Sequence, residues 1–126
     1  MASKILIVDD SRVIRHLIRS FIEEHTNWIV CGEAENGKTA VALVEELRPH
    51  LVILDLSMPV MNGLDAAREI SRIAPGIPMI MFTMHEMDEL RKEAQRVGIK
   101  HVFPKDNGFG DNVLKAMREM LLRSAA

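Results

Sequence analysis

The run Leu51-Val52-Ile53-Leu54 constrains the fold of this chain more than any other stretch. Four consecutive apolar residues, two of them β-branched, make a short strand buried on both faces rather than one with a wet side. The run ends in a single carboxylate, Asp55, and is followed by Pro59 and Asn62-Gly63, breakers that force a loop. In open α/β sheets ligands bind outside the carboxyl ends of the strands, so any chemistry belongs at Asp55. Taken alone, Asp55 could equally cap the turn or the next helix.

A second apolar run, Ile5-Leu6-Ile7-Val8, also ends in acid, at Asp9-Asp10. If the two strands are parallel neighbours, three carboxylates converge on one sheet edge. Like charges about 5 Å apart repel by roughly 3 kcal/mol per pair at an effective dielectric near 20. Such a cluster is tolerable when one group is protonated or a cation binds. An all-oxygen donor set with few protein ligands suits Mg2+, which keeps waters and accepts phosphate oxygens. The plainer reading is an exposed strand end followed by Ser11 as a helix N-cap. Two strand-terminal acid sites in one small domain favour the cation.

The rest of the chain alternates between the two periods. From Ser11, Val13, Ile14, Leu17, Ile18, Phe21 and Ile22 mark a helix to Glu24, about 21 Å long and able to cross a sheet face. Trp28 to Gly32 reads as a strand. After Asn36-Gly37, Ala40, Val44 and Leu47 mark a second helix that stops before Pro49. Leu64, Ala67, Ile70 and Ile73 or Ala74 give a third, closed by Pro75-Gly76. Residues 78–82 form a fourth strand ending at Thr83. Met87, Leu90, Ala94 and Val97 give a fourth helix, and residues 99–103 a fifth strand ending in Pro104-Lys105. Phe109, Val113, Ala116, Met117 and Met120 mark the last helix. Five strands alternating with five helices imply parallel pairing with right-handed crossovers, an α/β doubly wound five-stranded parallel sheet in three layers. The order 2-1-3-4-5 is one of the common ones for this class and sets strands one and three side by side at the switch point.

The 126 residues fit one domain, 1–126, with enough chain for its own core. With 16 basic and 18 acidic residues the net charge is 16 − 18 = −2, which argues against non-specific nucleic-acid binding through a basic surface. A lone Cys31, read as a buried strand residue, suits a reducing compartment. No apolar run approaches the roughly 20 residues needed to span a bilayer, and Met1-Ala2-Ser3-Lys4 does not open a signal peptide, so a cytoplasmic protein is expected. The clustered methionines, Met58, Met61, Met79, Met81, Met84 and Met87, read as gap-fillers. The histidines lack metal-ligand spacing and read as surface or loop residues.

Asp9-Asp10, Asp55 within Asp-Leu-Ser-Met-Pro-Val-Met-Asn-Gly, Thr83 and Lys105 resemble the receiver domains of bacterial two-component response regulators, over essentially the whole chain from Lys4. The wording of Asp-Leu-Ser-Met-Pro, Thr-Met-His-Glu and Pro-Lys-Asp is most similar to receivers of LuxR-type regulators. The resemblance implies a flavodoxin-like (βα)5 fold in which Asp55 accepts a phosphoryl group from a sensor histidine kinase or phosphotransfer protein. It implies Mg2+ held directly by Asp10 and Asp55 and by the Ser57 backbone carbonyl, with Asp9 acting through water. Lys105 and Thr83 would bind the phosphoryl group, while Ser57 and His85 would tune its lifetime. The helix 4–strand 5–helix 5 surface would switch an output domain or partner, with no direct nucleic-acid binding and no membrane contact by this domain.

Two departures stand out. The residue three before the lysine, usually aromatic in that family, is Val102, and Phe103 points to the other face. Asp106 rather than proline follows Lys105, and a non-proline cis bond would cost roughly 3 kcal/mol. With Val102 unable to swing inward, Met84 is expected to fill the space vacated by Thr83. A phosphorylation-dependent homodimer through helix 4, strand 5 and helix 5 is expected from the mixed charges of helix 4 and from Leu114, Leu121 and Leu122. Two other classes compete. An aspartyl-phosphate phosphohydrolase would want a second Asp two residues after the nucleophile, where Ser57 stands. An FMN binder would want a phosphate loop where Asp9-Asp10 repel phosphate.

Overall fold

The computed structural model of the chain describes residues 2–84 and 88–125. Strands and helices alternate as β1 (Lys4–Val8), α1 (Arg12–His25), β2 (Ile29–Ala34), α2 (Gly37–Leu47), β3 (Leu51–Leu54), α3 (Gly63–Ile73), β4 (Met79–Thr83), α4 (Asp88–Arg96), β5 (Ile99–Pro104) and α5 (Asp111–Ala125). All four strand pairings are parallel, in the order β2-β1-β3-β4-β5. Alternation along β1 and β3 decides the layers. Leu6, Val8, Val52 and Leu54 face Ala40 and Val44 of α2, Ala67 and Ile70 of α3, and Leu90 and Ala94 of α4. Ile5, Ile7, Leu51 and Ile53 face Ile18 and Ile22 of α1 and Val113, Leu114 and Met117 of α5. Each Val, Leu, Ile or Met among them contributes about 1.5–3 kcal/mol when fully buried. The fully apolar strands are therefore those with helices on both sides.

Three expectations are corrected. Val13 and Leu17 do not join the core face of α1; they are 69% and 56% exposed. The core stripe is Ile14, Ile18, Phe21 and Ile22, at i, i+4, i+7 and i+8, and the other two lie beside it. Leu114 and Leu121 are buried under α5, so they add nothing to an outer apolar face; only Leu122 of the three is exposed. The second strand runs on to Ala34, because Val8 still pairs there and Cys31, half-buried, is bulged out of register. Gly32 is not a breaker. A Cβ on it would lie 2.9 Å from Leu47 Cδ1, so glycine lets α2 close on the sheet.

On β5 a bulge at Lys100 puts Ile99 and Val102, three residues apart, on the same face toward α4. Phe103 faces the other layer, as alternation requires. A 3-10 turn at Lys105–Asn107, not anticipated from the sequence, follows the strand. No peptide bond among the described residues is cis. His16, His25, His50 and His101 are all exposed, in line with their surface reading, while His85 lies outside the described residues.

Candidate functional site

Asp9 and Asp55 each follow the last residue of a strand, and those last residues, Val8 and Leu54, are register partners. The Asp55 N–H donates to the Val8 carbonyl at 2.9 Å and the Asp9 N–H to the Ala34 carbonyl at 3.0 Å. Both carboxylates are thereby set into the sheet edge, 1% and 5% exposed, whereas Asp10 is exposed. One oxygen from each of the three carboxylates can be chosen so that all lie within 4.8 Å of one another.

Lys105 closes this cluster. Its Nζ stands 2.7 Å from Asp9 Oδ2 and 3.2 Å from Asp55 Oδ2. The remaining oxygens are also engaged: Asp9 Oδ1 accepts the Ser11 N–H and Asp55 Oδ1 the Leu56 N–H, both at 2.8 Å. Burial pushes the Asp55 carboxyl above the usual carboxylate range, Asp9 pushes it further, and Lys105 only partly offsets them. Burial pulls the Lys105 ammonium down, but the two carboxylates outweigh it and hold it above its ordinary value. Three carboxylates and one ammonium sum to −3 + 1 = −2, the charge that one divalent cation neutralises. The donor set is entirely oxygen and includes one carboxylate open to solvent, which fits a hard ion that keeps part of its water shell.

Thr83 ends β4 at the same edge, fully buried, and pairs with Pro104 immediately before Lys105. Met84, next along, is exposed, as is Ser57 in the loop after Asp55. Val102 is buried in the layer of Leu90, Ala94 and Val97, two positions below that edge. The structure thus brings Asp9, Asp55 and Lys105 into direct contact, gathers Asp10 to within 4.8 Å of the two buried acids, and sets Thr83 at the same edge, with Val102 in the core beneath.

Two contributors were not evident in the sequence. Gly63, read only as a breaker, starts α3 directly against the acid: a Cβ there would fall 2.0 Å from the Asp55 carbonyl oxygen. The other is Arg15, whose Nη1 donates to the Asp9 carbonyl at 2.7 Å while its Nε donates to Glu33 Oε1 at 2.9 Å. A lone Glu in an otherwise apolar strand was the available signal, since a half-buried carboxylate requires cationic partners.

Residues 5–118 match the family described as "Response regulator receiver domain". The transcriptional regulatory protein YdfI of Bacillus subtilis is 40% identical over 104 residues, 82% of this chain and 48% of that protein, so the chain spans about half of that regulator. The chemotaxis protein CheY of Halobacterium salinarum is 39% identical over 98 residues, covering 78% of this chain and 80% of that one. The crystal structure of a LuxR-family two-component response regulator from Aurantimonas superposes with a TM-score of 0.88 at 27% identity, over 97% of this chain and 86% of that one.

Proposed function

Because the chain belongs to the response regulator receiver domain family, we propose that it is a switch whose phosphoacceptor is Asp55 and whose donor is a phosphohistidine on a sensor histidine kinase or phosphotransfer protein. The observation that carries this reading is the double ion pair of Lys105 with Asp9 and Asp55 inside a cluster of three acids. An Asp55 oxygen attacks phosphorus, the phosphorus–nitrogen bond breaks, and the electron pair returns to the donor imidazole. Mg2+, when bound by Asp10, Asp55 and the Ser57 carbonyl, supplies the positive charge that lets an anionic nucleophile meet an anionic phosphoryl group. Asp9, the more tightly held of the two carboxylates that pair with Lys105, at 2.7 Å against 3.2 Å for Asp55, acts on the ion through bound water. Once Asp55 is an acyl phosphate the negative charge lies on the phosphoryl oxygens, so Lys105 transfers to one of them and the Thr83 hydroxyl donates to another. Ser57 flanks the phosphoryl group and tunes its hydrolysis together with His85.

Residues 1–126 act as one phosphoacceptor domain that promotes its own phosphorylation and dephosphorylation. A phosphohydrolase acting on other phosphoesters is disfavoured because Ser57 stands where that chemistry wants a second acid. No helix among the described residues is long and apolar enough to cross a membrane, which supports a cytoplasmic placement. Output runs through α4, β5 and α5, either to another domain or to a second copy of the chain. For the second copy the support is ionic, since Leu114 and Leu121 are committed to the core.

Acetyl phosphate with Mg2+ should label the chain once, on Asp55. Asp55→Asn or chelation of Mg2+ should abolish the label. Wild-type labelling of the Asn variant would overturn the assignment.

A further inference from the structure

Asp10 is the exposed member of the cluster and follows the last residue of β1 by two, so nothing in strand or helix geometry fixes it. The peptide unit from which it projects is nevertheless clamped. Asp9 is held on both sides by consecutive residues of β2: its N–H donates to the Ala34 carbonyl at 3.0 Å, and its carbonyl accepts from Arg15, which is locked to Glu33. The Arg15 side chain is only 14% exposed, so these charge-assisted bonds are shielded from water. Glu33 is itself held from a second side by Arg19 Nε at 2.8 Å, and Arg19 reaches on to Glu23 at 3.3 Å. The Asp9 carbonyl belongs to the Asp9–Asp10 peptide, so its direction sets the plane from which the Asp10 side chain leaves the backbone.

We propose that Arg15, braced by Glu33, is a positioning residue for the divalent-cation site: it fixes the Asp9–Asp10 peptide and thereby holds the Asp10 carboxylate toward Asp55. The proposal rests on the reading of the acid cluster as a Mg2+ site. Groups that orient a metal ligand without touching the metal typically change affinity by about 10- to 100-fold. Removing Arg15 lets the peptide turn, and the ion then has to order Asp10 as it binds.

The test is a Mg2+ titration of the full chain, followed through the Asp10 and Ser11 amide resonances, with the melting temperature recorded alongside. Arg15→Ala should weaken Mg2+ binding about 10-fold. Arg15→Lys, which can reach the carbonyl or Glu33 but has no fork for both, should recover part of the loss. Glu33→Gln should fall between the two and serves if Arg15→Ala fails to fold. Arg19→Ala removes two ion pairs, with Glu23 and with Glu33, from the same α1–β2 network but leaves the Arg15 bonds to Glu33 and to the Asp9 carbonyl in place, and should bind Mg2+ like the wild type. Unchanged affinity in Arg15→Ala overturns the proposal. So does an equal loss in Arg19→Ala, because the effect would then be a general loosening of α1. A wild-type chain that binds Mg2+ but takes no phosphoryl group from acetyl phosphate would defeat the functional reading instead, leaving the affinity comparison intact.

Discussion

Asp55 carries a charge where charge is disfavoured: burial and Asp9 both raise its carboxyl above the ordinary range. A carboxyl whose folded pKa is raised stabilises the fold fully below its unfolded pKa and loses that contribution as pH rises through the folded value. At neutral pH the ionised Asp55 is therefore a liability that Asn removes. Without Mg2+, Asp55→Asn should melt higher than the wild type, by on the order of 3 °C for about 1 kcal/mol in a domain of this size. Calorimetry across pH checks the sign. The advantage should shrink as pH falls through the raised pKa, because the wild type then becomes neutral too, and a constant difference would refute the cause. Both acid sites were legible in the sequence because each ends an uninterrupted apolar run, a pattern written in adjacent residues. Gly63 and Arg15 were not, since close approach to the Asp55 carbonyl and reach to the Asp9 carbonyl are set by elements the sequence does not place side by side.

At the level of elements, what the sequence left unread was the outer boundary of each helix face. Val13 and Leu17 fall within an apolar pattern wide enough for two faces, and only the packing of α1 against β1 and α5 selects the stripe centred on Ile18 and Ile22. Strand five shows the reverse. Alternation put Val102 and Phe103 on opposite faces, and they lie there. Val102 sits in the layer of Leu90 and Ala94, in contact range of α4 but with one stiff torsion and no ring to rotate. On the proposed function, movement of α4 would then be driven from Thr83, with the exposed Met84, whose side chain repacks at low cost, filling in behind it. In the presence of Mg2+, beryllofluoride should shift the α4 amide resonances in the wild type. Thr83→Ala and Met84→Ala should blunt that response, whereas Val102→Ala should keep most of it. A Val102→Ala defect as large as that of Thr83→Ala would sink this route.

Across the whole molecule, the two-layer burial of the sheet leaves little apolar surface, so the exceptions carry information. Val13 and Leu17 stand one turn apart on the outer side of α1, within the first two turns after Asp10. They suit an apolar face of a donor protein brought against the acid edge. Leu17→Glu should slow phosphoryl transfer from a cognate kinase by about 10-fold, the effect of losing roughly 1.4 kcal/mol of transition-state interaction, and leave labelling by acetyl phosphate unchanged. Equal loss with both donors would place the defect in the fold rather than in docking. Lys105 spans the same edge from the other side: it follows the last strand, β5, yet reaches past β4 to the acids of β3 and β1. The resting molecule is in that sense latched. If Lys105 receives the incoming phosphoryl group, as proposed, activation has to draw it off two partners first. A stray small-molecule donor must work against that latch unaided, while a docked protein brings binding energy with it. On the proposed function, the bridge would therefore slow labelling by chance small-molecule donors relative to transfer from a docked protein, a filter set by one lysine.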